Sequence, residues 1–377
     1  MRNAIIGIII GTVVGVVIGA TFLAPRLHNL STSVSGERIE HLSPPSAKAV
    51  SVETSAPDIS WRMASAYAGS LPQLGTLASR VSSEIWRISG GEMEIKFHEP
   101  DTLVPSAELF DAVKSGAVEA AFASPGRWKD DVSAMHLFSS VPFGPDPPEF
   151  MAWFYFGGGR ELYDEIYHRK GVHGVACGII APEASGWFRD EILTLEDLGG
   201  LKARFRGLGA RVLEKLGVEI ANLSDDEVFP ALESNAIDAA EFSLPSVDFQ
   251  LGLHKMAKHY YFPGWHQPST LFELMINLEK WEALTPMAKT RVEAVCGDNI
   301  RHGLAEAEAT QFAALKNIYA TGVEIHRWPA EIIAALEKAW LQVAAEQSKN
   351  DKDFKRVWKS LQAFREDYSI WRELGRP

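Results

Sequence analysis

Two charged residues lie in short apolar segments, where their side chains could recognise a small ion. Arg204 closes the strand-like segment LKAR, just before the turn and helix that begin at Gly207. An arginine at a strand end near a helix amino terminus can hold an anion, and its planar guanidinium grips a carboxylate through two parallel hydrogen bonds. The alternative role for Arg204 is a surface or interdomain salt bridge.

Glu241 is an acid inside the short segment AAEFS, which has the composition of a strand. Charged side chains are seldom buried without a partner. We therefore expect Glu241 either to form a salt bridge with an arginine or to bind a cation through its oxygens, and the salt bridge is the simpler reading.

The sequence contains none of the common catalytic signatures. It has no GxSxG, no HExxH and no phosphate loop. Gly207-Leu208-Gly209 lacks the third glycine of a dinucleotide fingerprint. His254 and His259 do not share a helix face, and we interpret both as structural. These observations favour a binding protein over an enzyme.

A repeated segment explains how the two charges are positioned. Residues 108–124 read ELFDAVKSGAVEAAFAS, and residues 227–243 read EVFPALESNAIDAAEFS. Each copy begins with a helical pattern that ends at Gly116 or Asn235, residue types that tolerate the left-handed conformation after a helix. Each copy then continues as a short strand. Because open α/β sheets bind ligands beyond the carboxyl ends of their strands, the repeat predicts two similar α/β lobes facing one cleft.

Composition limits the class of protein. A chain of 377 residues suits two domains, and its 46% hydrophobic content suffices for real cores. The formal net charge of −12 argues against a nucleic-acid partner. The two cysteines, Cys177 and Cys296, are either free core thiols or one bridge.

The amino terminus predicts export. Residues 4–24 form an uncharged apolar run after Arg2, with glycines at every fourth position from Gly7 to Gly19. The run suits a membrane anchor with one glycine-lined helix face, and the alternative is a cleaved export signal. We assign residues 1–27 to this signal or anchor and residues 28–58, rich in Ser, Pro and Thr, to a flexible linker.

The carboxyl terminus predicts long helices that end in an amphipathic one. Residues from Phe354 to Trp371 place apolar side chains three or four apart, with charges on the other face. Such a stripe has to be buried, either on its own domain or on a second copy of the chain.

Several segments together resemble the solute receptors of TRAP transporters, the tripartite ATP-independent periplasmic systems. The resemblance rests on WRMASAY, SSVPFGPDPPEFMAWFYFGGGRELYDE, SGWFRDEI, LKARFRGLG, YYFPGWHQP and both copies of the repeat, in order from about Trp61 to Trp371. It is greatest to the DctP-type branch whose members bind 2-oxo acids and related small carboxylates.

The resemblance implies a periplasmic-binding-protein-like α/β fold, with two lobes that close on a ligand and a long C-terminal helical extension. It places lobe I at 59–178 plus 267–305, lobe II at 179–266 plus 306–345, and a dimerisation helix at 346–377. It also implies a homodimer formed through that helix and delivery of the ligand to the membrane subunits of a TRAP permease.

The resemblance also implies the site residues. Arg204 would bind the substrate carboxylate, while a sodium or calcium ion would be held by Glu183, Glu241, the carbonyl of Phe242 and Gln267. We further expect Trp187 and Trp128 to line the apolar side of the cleft.

Two departures from the family pattern bear on this assignment. The family has Gln where this chain has Glu183 and Glu where it has Gln267, a reciprocal exchange that keeps the total charge around the cation. Where the family tends to have paired aromatics, this chain reads Ser124-Pro125-Gly126-Arg127-Trp128, and Arg127 adds a positive charge.

The sequence therefore predicts a periplasmic receptor, tethered or secreted, that captures a small 2-oxo or 2-hydroxy acid for transport. The alternative function is a membrane-anchored sensor that uses the same carboxylate-binding fold, which the glycine face of residues 4–24 would favour.

Overall fold

The computed structural model describes residues 57–128 and 132–375. The predicted anchor (4–24), the rest of residues 1–27 and residues 28–56 of the predicted linker lie outside this described part. None of the helices in the described ranges is both long and apolar enough to cross a membrane.

The strands of the described chain fall in two sheets. They are β1 (Ile59–Ser65), β2 (Met93–His98), β3 (Ala120–Ala123), β4 (Val172–Ile180), β5 (Gly186–Phe188), β6 (Lys202–Arg204), β7 (Glu219–Ile220), β8 (Ala239–Ala240), β9 (His259–Phe262), β10 (Thr270–Asn277) and β11 (Glu324–Arg327).

The helices surround these sheets and dominate the carboxyl-terminal third. They are α1 (Gly75–Ile88), α2 (Leu109–Lys114), α3 (His136–Ser139), α4 (Pro147–Phe156), α5 (Gly159–His168), α6 (Gly207–Lys215), α7 (Val228–Glu233), α8 (Pro245–Leu251), α9 (Leu278–Glu282), α10 (Pro286–Ala320), α11 (Ala330–Asn350) and α12 (Lys352–Leu374).

Each sheet forms one lobe. Lobe I has the strand order β2-β1-β3-β10-β4, in which β1 pairs in parallel with β2 and β3 while β10 runs antiparallel to β3 and β4. Lobe II has the order β11-β9-β5-β8-β6-β7, and only β5 runs antiparallel to its two neighbours. The predicted two-lobed α/β fold with long C-terminal helices is confirmed.

The repeat has one copy in each lobe. Its helices are α2 and α7, and its strands β3 and β8 lie inside the two sheets. Gly116 has φ +77° and Asn235 has φ +57°, so both residues adopt the predicted left-handed conformation after their helix. The repeat is therefore a structural one.

A disulfide bond links Cys177 in β4 to Cys296 in α10. Both residues are fully buried in the core of lobe I, and they are the only cysteines in the chain. Of the two states that the sequence left open, the structure has the bridged one. A persistent disulfide is typical of proteins exported to an oxidising compartment.

The carboxyl-terminal helices connect the lobes. Helix α10 is continuous across residue 305, the predicted lobe boundary, and packs on β4 and α1. Helix α11 packs against α6 of lobe II, and α12 then returns to α4 and α5 of lobe I. Residues 346–350, predicted to begin the dimerisation helix, belong to α11, and α12 begins at Lys352. The lobe boundaries themselves stay a prediction.

The apolar stripe of α12 is covered only in part by its own chain. Phe354, Val357 and Leu361 are fully buried against lobe I. Near the end of the helix, Ile370, Trp371 and Leu374 are 62%, 62% and 80% exposed. Packing on its own lobe therefore buries the stripe as far as Leu361, covers Phe364 and Tyr368 in part, and leaves Trp371 exposed in the single chain.

A carboxylate, Glu273, is buried in lobe I on β10. It accepts hydrogen bonds from the Trp128 indole at 2.8 Å, from the Tyr167 hydroxyl at 2.7 Å and from the Tyr163 hydroxyl. Burial raises the pKa of Glu273 to about 7, although these donors oppose the shift. The network holds Trp128 inside lobe I.

This network predicts a dependence of stability on pH. Because the pKa of Glu273 is higher in the folded than in the unfolded protein, its contribution is complete below about pH 4.5 and is lost as the pH rises through 7. The free energy of unfolding of the wild type should therefore decrease between pH 5 and pH 8. In Glu273→Gln we expect this decrease to be smaller by on the order of 2 kcal/mol. Urea unfolding at both pH values measures it.

The control for this experiment is Glu308→Gln on exposed α10 surface, which should follow the wild type. Asp248 is another buried carboxyl whose pKa is raised to about 7. Because Asp248 is unchanged in Glu273→Gln, part of the decrease in stability with pH should remain in this variant. An identical decline in the wild type and Glu273→Gln would contradict the prediction.

Candidate functional site

A cavity of about 830 Å³ lies between the two lobes. Residues from both sheets line it, and so do residues from the two connections that cross between the lobes. Five of the seven predicted site residues contribute to its wall. They are Glu183, Arg204, Glu241, Phe242 and Gln267.

The two crossing connections run side by side and bring Glu183 next to Gln267. One connection, residues 181–185, joins β4 to β5, and the other, residues 263–269, joins β9 to β10. The Glu183 amide donates to the Gln267 carbonyl at 3.1 Å, and the Gly264 amide donates to the Glu183 carbonyl at 3.1 Å. In addition, the Glu183 carboxylate accepts hydrogen bonds from the Gln267 side-chain amide and from the Thr270 hydroxyl.

Arg204 and Glu241 are neighbours because their strands are neighbours. β6 pairs in parallel with β8, and the Glu241 amide extends the ladder by donating to the Arg204 carbonyl at 3.0 Å. The Arg204 guanidinium donates to the Glu241 carbonyl at 2.6 Å and lies 3.6 Å from its carboxylate. Its carbon also sits 5.5 Å from the centre of the Phe242 ring. Both charged side chains are at least 96% buried.

The Arg204 guanidinium also contacts the carboxylate of Asp225. Asp225 Oδ1 accepts hydrogen bonds from Arg204 Nη2 and from Arg206 Nη2, and Asp225 Oδ2 lies 3.6 Å from Arg127 Nη1 of lobe I. Burial disfavours the charge of Asp225, but the three arginines outweigh it and lower the pKa of this carboxyl. The buried Nε of Arg204 has no hydrogen-bond partner among the described residues.

A histidine completes a group of three buried donors in the cavity. One ligand atom each from Glu183, Glu241 and His266 lie within 4.8 Å of one another. Neither ring nitrogen of His266 has a hydrogen-bond partner among the described residues. Gly209 packs directly against the ring, because a Cβ at this glycine would lie 2.8 Å from the His266 Cβ. This close approach gives the Gly-x-Gly turn a structural role.

The two acids of this group repel each other in a dry environment. Burial, followed by the charge of Glu241, raises the pKa of Glu183 well above its usual range. A bound cation would remove this cost by neutralising the carboxylates. The cavity thus combines a donor set for a cation with a guanidinium for an anion.

The structure places the two predicted tryptophans away from the cavity wall. The Trp128 ring lies in the core of lobe I, where its indole donates to Glu273. Trp187 is fully buried in lobe II, where it stacks on Tyr260 at 3.9 Å and donates to Asp248 at 2.8 Å. The expectation that these rings line the cleft is corrected, because each indole N–H is used to satisfy a buried carboxylate.

The sequence analysis missed His266 and Asp225. His266 directly precedes Gln267, but no pattern marks a lone histidine in an aromatic loop as a cavity residue. Asp225 lies in the polar turn Ser224-Asp225-Asp226, which has the composition of an ordinary loop. Only the tertiary fold brings His266 next to Glu241 and Asp225 next to Arg204.

Comparison with known proteins identifies the family of the chain. The profile of the family described as bacterial extracellular solute-binding protein, family 7 (DctP), matches residues 64–350. A relative from Nostoc sp., the monocarboxylate 2-oxoacid-binding periplasmic protein, is 32% identical over 327 residues, 86% of this chain and 89% of the relative.

Solved structures give the same result. A TRAP transporter solute-binding protein from Bordetella bronchiseptica, a mixed-occupancy dimer with calcium and picolinate in one site, is 33% identical with a TM-score of 0.82 over 84% of this chain and 95% of its own. A TRAP periplasmic solute-binding protein from Pseudoalteromonas atlantica, with bound sodium and pyruvate, is 30% identical and has a TM-score of 0.79. The match covers 83% of this chain and 95% of that one.

The matched profile covers most of the chain, and the structure from Bordetella bronchiseptica aligns with 84% of it. The chain therefore belongs to the DctP family of bacterial extracellular solute-binding proteins, and it is a periplasmic, non-enzymatic receptor of the TRAP type.

Proposed function

We propose that this receptor captures a small 2-oxo acid, such as pyruvate, together with a sodium or calcium ion, and delivers it to the membrane subunits of a TRAP permease. The observation that carries the proposal is the buried Arg204 guanidinium, which lies 3.6 Å from the Glu241 carboxylate within one cavity. This arrangement supports a proposed anion site next to a proposed cation site.

Arg204 is the proposed anion clamp. Its contact with the Glu241 carbonyl fixes the guanidinium, while the edge formed by Nε, which has no hydrogen-bond partner among the described residues, and Nη2, which donates to Asp225, is the one that a carboxylate would bind after displacing Asp225. Two parallel hydrogen bonds from this edge would replace the water that a carboxylate loses on entering the cavity. Charge-assisted bonds of this kind contribute roughly 1.5–3 kcal/mol each.

The proposed cation site uses Glu183, Glu241, Phe242 and Gln267, and the described residues fit such an ion. Two buried carboxylates and neighbouring carbonyl oxygens are the donors that calcium and sodium prefer. The His266 ring, whose Nε2 lies 3.9 Å from Glu241 Oε1 and has no hydrogen-bond partner among the described residues, is a further donor in the same group. A cation here would neutralise the repulsion between Glu183 and Glu241 and offer a positive charge to the oxygens of the acid.

The reciprocal exchange of Glu183 and Gln267 preserves the charge of this site. The two side chains are hydrogen-bonded to each other across the paired connections, so a carboxylate on either one lies in nearly the same place. We propose that the cation site is retained in mirrored form relative to the family pattern.

Arg127 is the charged residue of the altered segment, and it lines the cavity together with Ser124 and Gly126. Its guanidinium lies 5.5 Å from the centre of the Tyr67 ring and 3.6 Å from Asp225. Because Arg127 belongs to lobe I and Asp225 to lobe II, their ion pair joins the two lobes at the cavity. We propose that Arg127 favours a closed form around an anionic ligand.

The uncovered end of α12 supports a proposed homodimer. Trp371 continues the stripe that Phe354 and Val357 begin, and Ile370 and Leu374 are further exposed apolar side chains at the same end of the helix. An exposed row of large apolar side chains on a terminal helix is typical of a surface that a second subunit covers. The dimeric relative from Bordetella bronchiseptica is consistent with this assembly.

A thermal-shift screen tests the proposed ligand. We expect pyruvate with sodium or calcium to raise the Tm of the protein, because a ligand at a hundredfold excess over its Kd stabilises by about 2.7 kcal/mol. Propionate, which lacks the 2-oxo group, and pyruvate with a chelator and no sodium are the matched controls. No shift with any 2-oxo or 2-hydroxy acid, with either cation, would refute the proposed ligand class.

The cation site is tested by exchanging its residues. We expect Glu183→Gln to abolish the cation-dependent part of the shift, because one of the two buried carboxylates is lost. The double variant Glu183→Gln/Gln267→Glu returns the carboxylate to the paired connection and should regain it. If Glu183→Gln alone keeps the full cation dependence, Glu183 does not hold the ion.

The anion clamp is tested by calorimetry with pyruvate. Arg204→Ala should weaken binding at least about tenfold, because the carboxylate loses its charge-assisted hydrogen bonds. Arg204→Lys keeps the positive charge but cannot form two parallel hydrogen bonds, so its affinity should lie between those of the wild type and Arg204→Ala. The control is Lys202→Ala, an exposed position on the same strand. Wild-type affinity in a folded Arg204→Ala protein would remove Arg204 from the site.

The contact between Arg204 and Asp225 makes a separate prediction. A ligand carboxylate has to displace Asp225 from Arg204 Nη2, so Asp225→Asn should bind pyruvate about three- to tenfold more tightly. Asp226→Asn, at an exposed neighbour that contacts Ser224, is the matched control. Weaker binding in Asp225→Asn would mean that Asp225 orients the clamp and does not compete with the ligand.

A further inference from the structure

A second group of metal-binding side chains lies on the far edge of lobe II. Strand β11 is the outermost strand of the sheet and pairs in parallel with β9, so that Glu324 lies opposite His259 and His326 opposite Tyr261. We call His259, Glu324 and His326 the edge cluster. One ligand atom from each lies within 4.8 Å of the other two.

The two histidines of the edge cluster already face each other through the nitrogens a metal would use. His259 Nδ1 and His326 Nε2 are 3.0 Å apart, and Glu324 Oε2 lies 3.9 Å from His326 Nε2. Two nitrogens bound to one tetrahedral zinc ion at 2.0–2.1 Å are roughly 3.3 Å apart. A small outward rotation of the rings therefore suffices to admit an ion between them.

The surroundings hold the His326 ring in place. Its other nitrogen, Nδ1, lies 3.6 Å from Glu191 Oε1, the position from which a carboxylate orients a metal-bound histidine. The ring also stacks on Tyr261 at 4.8 Å. By contrast, Glu324 is largely exposed, which leaves room for water in the remaining coordination position.

The donor chemistry of the edge cluster differs from that of the cavity. Two imidazoles and one carboxylate are the donor set of a borderline transition-metal ion and match known zinc sites. The cavity group has two carboxylates and one imidazole, which suits a harder ion. A third group, Asp164, His168 and His173, is less suited, because Arg160 lies 3.7 Å from Asp164.

We propose that the edge cluster is a zinc site, separate from the ligand cavity, that links β11 to β9. The two strands lead toward the connections between the lobes. β9 continues into residues 263–269, and Trp328, the residue after β11, donates its indole N–H to Ser185 in the other connection at 2.7 Å. Zinc binding would thus brace the side of lobe II from which both connections depart.

The test is a zinc titration by calorimetry of the wild-type protein and of matched variants. In a His266→Ala background, which weakens the cavity group, we expect one zinc ion to bind. His259→Ala or His326→Ala should weaken this binding at least about tenfold, and Glu324→Gln should weaken it less. His302→Ala, a partly exposed histidine beside Glu306 on α10, should leave it unchanged.

Diffraction data collected at the zinc absorption edge locate the ion directly. An anomalous peak between His259 and His326 is the expected result. Two histidine variants are used, so that the test still stands if one of them fails to fold. Equal zinc affinity in the His259→Ala and His302→Ala proteins, or a zinc peak only at another place, would overturn the proposal.

Discussion

The site depends on compensating charges that are shut away from water. Arg204 and Glu241 are almost fully buried, and each would be costly without the other. Their pairing follows from the parallel alignment of β6 and β8, so the sheet of lobe II fixes the charges before any ligand arrives. Around this pair the charges match in number, since Glu183 and Asp225 add two carboxylates while Arg127 and Arg206 add two guanidinium groups. An acid and a cation that enter together would leave this balance unchanged.

The sequence predicted those parts of the structure that local patterns determine. The repeat located a helix–strand unit in each lobe because helix periodicity, a left-handed residue and a strand follow one another within 17 residues. Arg204 and Glu241 could be singled out since a charge in a short apolar strand requires a partner. Glu183 and Gln267 were proposed only from family resemblance, because no local pattern relates residues on two connections about 80 positions apart, and Phe242 was proposed in the same way.

The errors have a common physical origin. Trp128 and Trp187 were expected in the cleft because aromatic rings often line ligand cavities, but both N–H groups are used by the buried acids Glu273 and Asp248. The acid that accepts a hydrogen bond from each indole is determined by packing between strands that are distant in the sequence. Asp225 and His266 were missed for the same reason, since their neighbours are set by the tertiary fold and not by sequence spacing.

The disulfide between Cys177 and Cys296 has a mechanical consequence for a receptor with two lobes. It fastens β4 to α10 only a few residues before the chain leaves lobe I at Ile180. The crossing segment is therefore anchored up to that point, and a relative motion of the lobes would have to bend the chain at 181–185, at its partner connection and where the carboxyl-terminal helices join the lobes. Glu183 and Gln267 lie on the first two of these connections, so a ligand held between them would sit where the chain has to bend.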